Sequence, residues 1–157
     1  MKILVLSDSH GNTEAVMEAV TQCDADMILH LGDYTRDCEI IRSEFPQIPL
    51  RAVRGNGDRR ELELDIDEFV VEEKRIIMTH GHLFGVKSGL ERAFYFAESK
   101  SADILLFGHT HNMHDSGDSF GDIRLINPGS VGLGKKTFAT LEIQRGEVMC
   151  NFTRIDK

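Results

Sequence analysis

The chain has 157 residues, a length that suits one domain and leaves little room for two. Hydrophobic residues make up 41% and charged residues 28%, the balance of a globular chain and not of a disordered one. With 18 basic against 26 acidic residues the net charge is −8, which argues against an extended nucleic-acid surface but leaves room for a nucleotide where bound metals supply local positive charge.

Residues 3–6 form a continuous apolar run and predict a buried parallel strand. The run is too short for a signal-peptide core and far too short to span a bilayer. No other segment approaches membrane length, so no membrane contact and a cytoplasmic location are expected. Asn12 or Thr13 offers a cap for a helix whose apolar stripe is Ala15, Val16, Ala19 and Val20. Residues 27–31 predict a second strand, 38–45 a short helix ended before Pro46, and 50–53 a third strand. This βαβαβ opening implies a parallel sheet with crossover helices.

The second half has a different pattern. Residues 68–72 and 75–78 read as paired strands about a Glu73-Lys74 turn. Residues 90–98 are helical, with Leu90, Ala93, Phe94 and Ala97 on one face, and 104–107 predict another buried strand. Short strands follow near Met113 and at 123–126, 137–143 and 147–153, the last hairpin turning at Arg145-Gly146. No repeat, low-complexity tract or linker interrupts the chain, so a single domain over residues 1–157 is expected, with two packed sheets and helices outside. The three cysteines, Cys23, Cys38 and Cys150, are odd in number and far apart. They fit buried reduced thiols, not a disulfide framework or zinc ribbon.

The histidines are not scattered. His10, His80, His82, His109 and His111 each follow a predicted strand, as do Asp8, Asp33 and Asn56. In open α/β sheets the ligand crevice lies beyond the carboxyl ends of the strands, so these residues converge on one edge. Singly each motif is weak: Gly32-Asp33 and Gly55-Asn56-Gly57-Asp58 also read as plain turns. His80-Gly81-His82 and Gly108-His109-Thr110-His111 are stronger, since an extended HxH puts both rings on one side. Together the segments supply hard oxygen and borderline nitrogen ligands without a nearby thiolate. That set suits manganese, iron, zinc or nickel and disfavours calcium.

In this order the segments Asp8-x-His10, Gly32-Asp33, Gly55-Asn56-x-Asp58, His80-Gly81-His82 and Gly108-His109-x-His111 resemble the calcineurin-like metallophosphoesterases. The DSHGN start, the THGH and FGHTH segments and Asn127-Pro128-Gly129-Ser130 resemble the small YfcE-type phosphodiesterases, over residues 1 to about 152. The resemblance implies a four-layer αββα sandwich and a metal-dependent phosphodiesterase with two adjacent divalent ions. Manganese is the first choice, with nickel, zinc or iron as alternatives. Asp8, His10 and His111 would hold one ion, Asn56, His80 and His109 the other, and Asp33 would bridge them. The nucleophile would be a bridging water that loses a proton. Asn12 would donate to a phosphate oxygen at the helix N-terminus. Asp58 would orient a ligand, since a metal-bound His donates its other N–H to an acceptor.

His82 either faces phosphate, supports His80 or is a plain loop histidine. His30 reads as a satisfied core histidine and His114 as a surface one. Tyr34, Arg36, Arg59 and Arg60 follow metal motifs and read as solvated loop residues unless substrate reaches them. One departure from the larger superfamily is Gly57, where many members carry a His thought to protonate the leaving group. This puts leaving-group protonation in doubt and makes His82 the candidate substitute in a catalytic set with Asp33 and Asn56.

Two rivals stand beside this reading. A metallo-β-lactamase-type HxHxDH is imitated at residues 109–114, but Met113 occupies the position of the Asp, and Asp8, His10 and Asn56 are left without a role. A non-catalytic scaffold working through protein contacts, as the retromer scaffold subunit does on the same fold, is the alternative from another class. The expected partner is a small phosphate ester, with a nucleotide included and a homo-oligomer left open.

Overall fold

The computed structural model describes residues 1–59 and 63–156. Its elements are β1 (Lys2–Leu6), α1 (Thr13–Cys23), β2 (Met27–His30), α2 (Cys38–Glu44), β3 (Leu50–Ala52), β4 (Ile66–Val71), β5 (Lys74–Thr79), α3 (Glu91–Ser99), β6 (Ile104–Leu106), β7 (Met113–Asp115), β8 (Arg124–Pro128), β9 (Thr137–Gln144) and β10 (Glu147–Arg154). Asn12 caps α1, its Oδ1 accepting the Ala15 N–H at 3.1 Å.

The strands form two mixed five-stranded sheets, ordered β10-β9-β1-β2-β3 and β4-β5-β6-β8-β7. Each has three parallel strands, β1-β2-β3 running out to one edge of the first and β5-β6-β8 at the centre of the second. The near-continuous apolar runs of β1, β2, β5 and β6 have one cause: both faces are covered. Ile3, Val5, Leu29 and Leu31 point between the sheets, against Ile76, Met78, Ile104, Leu106 and Ile126. Leu4, Leu6 and Ile28 point the other way, under Val16, Ala19 and Val20 of α1 and Ile41 of α2. Ile77, Leu105 and Leu125 pack under Ala93 and Ala97 of α3. The result is the four-layer αββα sandwich. Among the described residues no helix is long and apolar enough to cross a membrane.

One turn differs from expectation. The β4–β5 hairpin turns at Glu72-Glu73, not at Glu73-Lys74, and Lys74 is already in the strand opposite Val71. Glu72 and Glu73 have φ of 45° and 70°. This is the primed two-residue turn whose twist matches the flanking strands, and burial of Val71 fixes its register. Arg145-Gly146 closes the β9–β10 hairpin in the same way, with φ of 52° and 80°. His114, expected at the surface, is half-buried with its ring centroid 6.0 Å from that of Phe107, because short β7 lies antiparallel against β8.

The two sheets are joined near β10 by Arg124. Its guanidinium grips Asp115 with two bonds, of 2.8 and 2.6 Å, and donates a third to the Val148 carbonyl at 2.7 Å. The arginine holds the Asp115 carboxyl below the usual carboxylate range. Replacing Arg124 by Met should therefore destabilise the fold by about 1–3 kcal/mol, since it strands a charged acceptor and a carbonyl together. The check is the urea midpoint at unchanged slope, and an unshifted midpoint would remove the clamp from the account.

Candidate metal centre

The parallel strands deliver the candidate ligands. Asp8 and His10 follow β1, Asp33 follows β2 and Asn56 follows β3, all in the first sheet. His80 and His82 follow β5, and His109 and His111 follow β6, in the second. The site therefore lies at the seam where the carboxyl ends of both sheets meet.

Asp8 is at its centre and fully buried. Its Oδ2 accepts from the Ser7 hydroxyl at 2.6 Å and from the His109 N–H at 3.1 Å. Its Oδ1 is buried with no hydrogen-bond partner among the described residues, yet three imidazoles surround it. The Nε2 atoms of His111, His10 and His80 lie 3.1, 3.8 and 3.8 Å away. Asp33 faces both halves, with Oδ2 3.7 Å from His10 Nε2 and Oδ1 3.5 Å from His80 Nε2. Donor atoms of Asp8, His10 and His111 lie within 4.8 Å of one another, and so do those of Asp8, Asp33 and His80.

The protonation pattern fits cations. His80 is fully buried and its Nδ1 donates to the Leu31 carbonyl at 2.8 Å, which fixes the ring with Nε2 toward the site. His109 Nδ1 lies 3.2 Å from that atom. Burial, reinforced by His80, lowers the His109 pKa to about 4, which keeps the ring neutral and able to ligate. The buried His10 Nε2 also lacks a partner. An unpaired Asp8 oxygen among imidazole nitrogens and the Asp33 carboxylate forms groups that could hold a metal ion.

The remaining predicted residues take varied positions. Asn56 is exposed at the tip of its turn, between Gly55, whose N–H donates to Asp58, and Gly57, whose N–H donates to Asp33 Oδ1 at 2.8 Å. Asp58 reaches no histidine ring. Its carboxylate accepts from the amides of Asp33, Tyr34, Thr35 and Gly55, so it holds the backbone that carries Asp33. One Nδ2 hydrogen of Asn12 is already committed to the Gly132 carbonyl at 3.1 Å. The His82 ring lies 5.5 and 6.2 Å from those of His80 and His109, its Nδ1 is buried without a partner among the described residues, and burial lowers its pKa. Tyr34, Arg36 and Arg59 line a cleft beside Gly57 and Asp58, while Arg60 lies outside the described residues.

A network that residue types did not reveal holds these loops. The Ser130 hydroxyl donates to the Asp8 carbonyl at 2.7 Å, while Val131 and Gly132 donate to Ser7 and Asp8. Buried Asn127 donates to the Gly108 carbonyl and the Thr110 hydroxyl, fixing the turn that carries His109 and His111. Asp37 accepts the Gly11 N–H at 2.9 Å. The only hint in the sequence was the Asn127-Pro128-Gly129-Ser130 string, known by resemblance and without a role. Asp8, His10, Asp33, His109 and His111 all have left-handed φ, from 48° to 69°. Such conformations are uncommon outside glycine, cluster at functional sites and cost roughly 1 kcal/mol or more each.

Residues 1–146 match the calcineurin-like phosphoesterase superfamily domain. The chain belongs to that superfamily. It is 31% identical to the Bacillus subtilis protein named "Probable metallophosphoesterase YsnB", over 97% of this chain and 90% of that one. It is 29% identical to Escherichia coli "Phosphodiesterase YfcE", over 86% and 82%. A Streptococcus pneumoniae structure described as a predicted phosphoesterase superposes with TM-score 0.80 at 27% identity, over 98% of this chain and 88% of that one. Vps29 of Entamoeba histolytica, solved with zinc, gives 0.76 at 20% identity over 98% and 99%, a likeness of fold alone.

His30 completes the setting. It is fully buried in β2, where Nδ1 accepts the Gly32 N–H at 3.2 Å. Its Nε2 therefore donates to the Ser9 hydroxyl at 3.0 Å, and Ser9 in turn reaches the Asp33 and Tyr34 carbonyls. Burial lowers its pKa from 6.5 to about 4, against the opposing pull of Asp58, Asp8 and Asp37. The neutral ring stabilises the fold fully above pH 6.5, and that contribution is lost as pH falls from 6.5 toward 4. The shift corresponds to roughly 3 kcal/mol. Unfolding free energies measured across this range should fall less steeply for His30→Gln than for the native chain; parallel curves would contradict the assignment.

Proposed function

We propose that the chain is a phosphodiesterase that uses a pair of divalent cations. The observation that carries this reading is the Asp33 carboxylate turned toward both His10 and His80, beside an Asp8 oxygen that is buried, unpaired and ringed by imidazoles. Asp8, His10 and His111 would hold one cation, and His80, His109 and Asn56 the other, with Asp33 shared. Two bound cations would lower the pKa of a water and neutralise phosphate oxygens as charge moves. The oxygen and nitrogen donors suit manganese, with nickel, zinc or iron able to replace it.

This chain's own residues do the rest. Asp58 fixes the backbone behind Asp33, and Gly57 N–H fixes the rotation of its carboxylate. Asn12, at the helix start, is offered to a phosphate oxygen through its second Nδ2 hydrogen. The substrate is a small phosphate ester, nucleotides included, and the same reading is cytoplasmic. The names of the bacterial relatives support it. The Vps29 likeness favours a second reading, a scaffold without turnover, and manganese-dependent hydrolysis of a chromogenic diester by purified protein separates the two.

Asp33→Asn should lose at least one metal by elemental analysis and drop turnover by more than about 100-fold, while folding persists. Asp58→Asn should cost about 10–100-fold. Chelation should abolish activity and manganese restore it; full activity after exhaustive metal removal rejects the mechanism.

A second expectation comes from Gly57, which has no side chain to protonate a departing oxygen. General acid help is typically worth about 10²–10⁴-fold. The rate should therefore depend steeply on leaving-group pKa across aryl phosphodiesters. A flat series would mean that another group donates, and a series that turns steep only in His82→Ala would name His82.

A further inference from the structure

Past His111 the metal centre opens into a cavity of about 470 Å³, walled by His111, Met113, Leu133 and Lys135 among others. His111 belongs to both spaces, since its Nε2 is 3.1 Å from Asp8 Oδ1. Met113 and Leu133 are large apolar side chains left 49% and 45% exposed there, and Lys135 adds an exposed ammonium to a chain of net charge −8. The wall is also referenced to the centre. The Ser130 hydroxyl that donates to the Asp8 carbonyl accepts the Leu133 N–H at 2.9 Å. A phosphorus atom held at the metals would thus have one ester arm beside a wall that carries both apolar and cationic side chains.

We infer that this cavity is the subsite for one ester arm of the substrate, an arm that is planar and apolar and carries an anionic group. The assignment rests on the phosphoesterase reading of the adjoining centre. Met113 and Leu133 cover the faces of the ring, and Lys135 pairs with the charge. A second cleft, lined by Tyr34, Arg36, Gly57 and Arg59, is more polar and is left for the second arm or for solvent.

The test is direct binding, by calorimetry on the manganese-loaded protein, of methylphosphonate, phenylphosphonate and 4-carboxyphenylphosphonate. Each has a single arm and no bond to hydrolyse. Phenyl should bind about tenfold tighter than methyl, in keeping with partial burial of a ring. The carboxylate should add about threefold, as an exposed ion pair does, and lose it at high salt. Leu133→Ser should remove the first increment and Lys135→Ala the second, both leaving methylphosphonate affinity unchanged. Equal affinity for methyl and phenyl, or variants that weaken all three ligands alike, would overturn the subsite. Failure of even methylphosphonate and inorganic phosphate to bind would instead count against the metal-centre reading itself.

Discussion

Asp8 and Asp33 put two carboxylates at the seam between the sheets, almost without solvent and facing the same His10 and His80 nitrogens. Burying one ionised carboxylate costs several kcal/mol unless positive charge and hydrogen bonds offset it. Here the hydrogen bonds are divided. Each carboxylate has donors on one oxygen, Ser7 and His109 on Asp8 and Gly57 on Asp33. The opposite oxygens, Asp8 Oδ1 and Asp33 Oδ2, face imidazoles. Cations bound between these carboxylates and imidazoles would offset that cost, and the groups present could hold them. Much of the rest of the structure follows from keeping that demand in place.

The scaffold meets it by dividing the site between the sheets. The first sheet brings both carboxylates and the second brings His80 and His109, so any slip between sheets would separate the two halves. Three features oppose such a slip. The inter-sheet apolar layer packs strand ends directly beneath the site. Arg124 ties β8 to β10. The segment from Asn127 to Gly132 leaves the second sheet on the way to β9 of the first, bonding to the loops after β6 and β1. The left-handed backbone at five candidate ligand positions is stable under the same bonds, because strain persists only where its surroundings over-determine it.

Much of this was legible in the chain. Apolar runs with both faces covered marked the parallel strands, and polar residues that ended them marked the site, because a strand's carboxyl end is where its side chains leave the core. The β4–β5 turn was misplaced by one residue, since two consecutive glutamates carry no mark of positive φ; strand twist and Val71 decide it. Asp58 is expected to accept from a metal-bound His, yet its partners are backbone amides, which every residue but proline has and no sequence displays. The contact of Ser130 with Asp8 spans 122 positions and depends on sheet order, so serine at that place carries no signal on its own. Residue type shows what a side chain can ligate; the topology decides which atom of it remains unpaired.

Gly57 shows the limit of reading a residue by what it lacks. As a missing acid it predicts a dependence on the leaving group. In the fold it has a positive role as well, because its N–H is the donor that orients Asp33 Oδ1. A Cβ there would stand 3.1 Å from that oxygen and 3.2 Å from Cγ, tight enough to make the carboxylate give way. At Gly55 a Cβ would overlap the same carboxylate outright. Two glycines flanking Asn56 thus let the loop of the third strand lie on Asp33 and present a backbone donor to it. A larger residue at 57 would have to shift the loop before it could protonate anything. The absent acid and the close backbone approach are consequences of the same glycine, and the carboxylate they act on is the one turned toward both halves of the site.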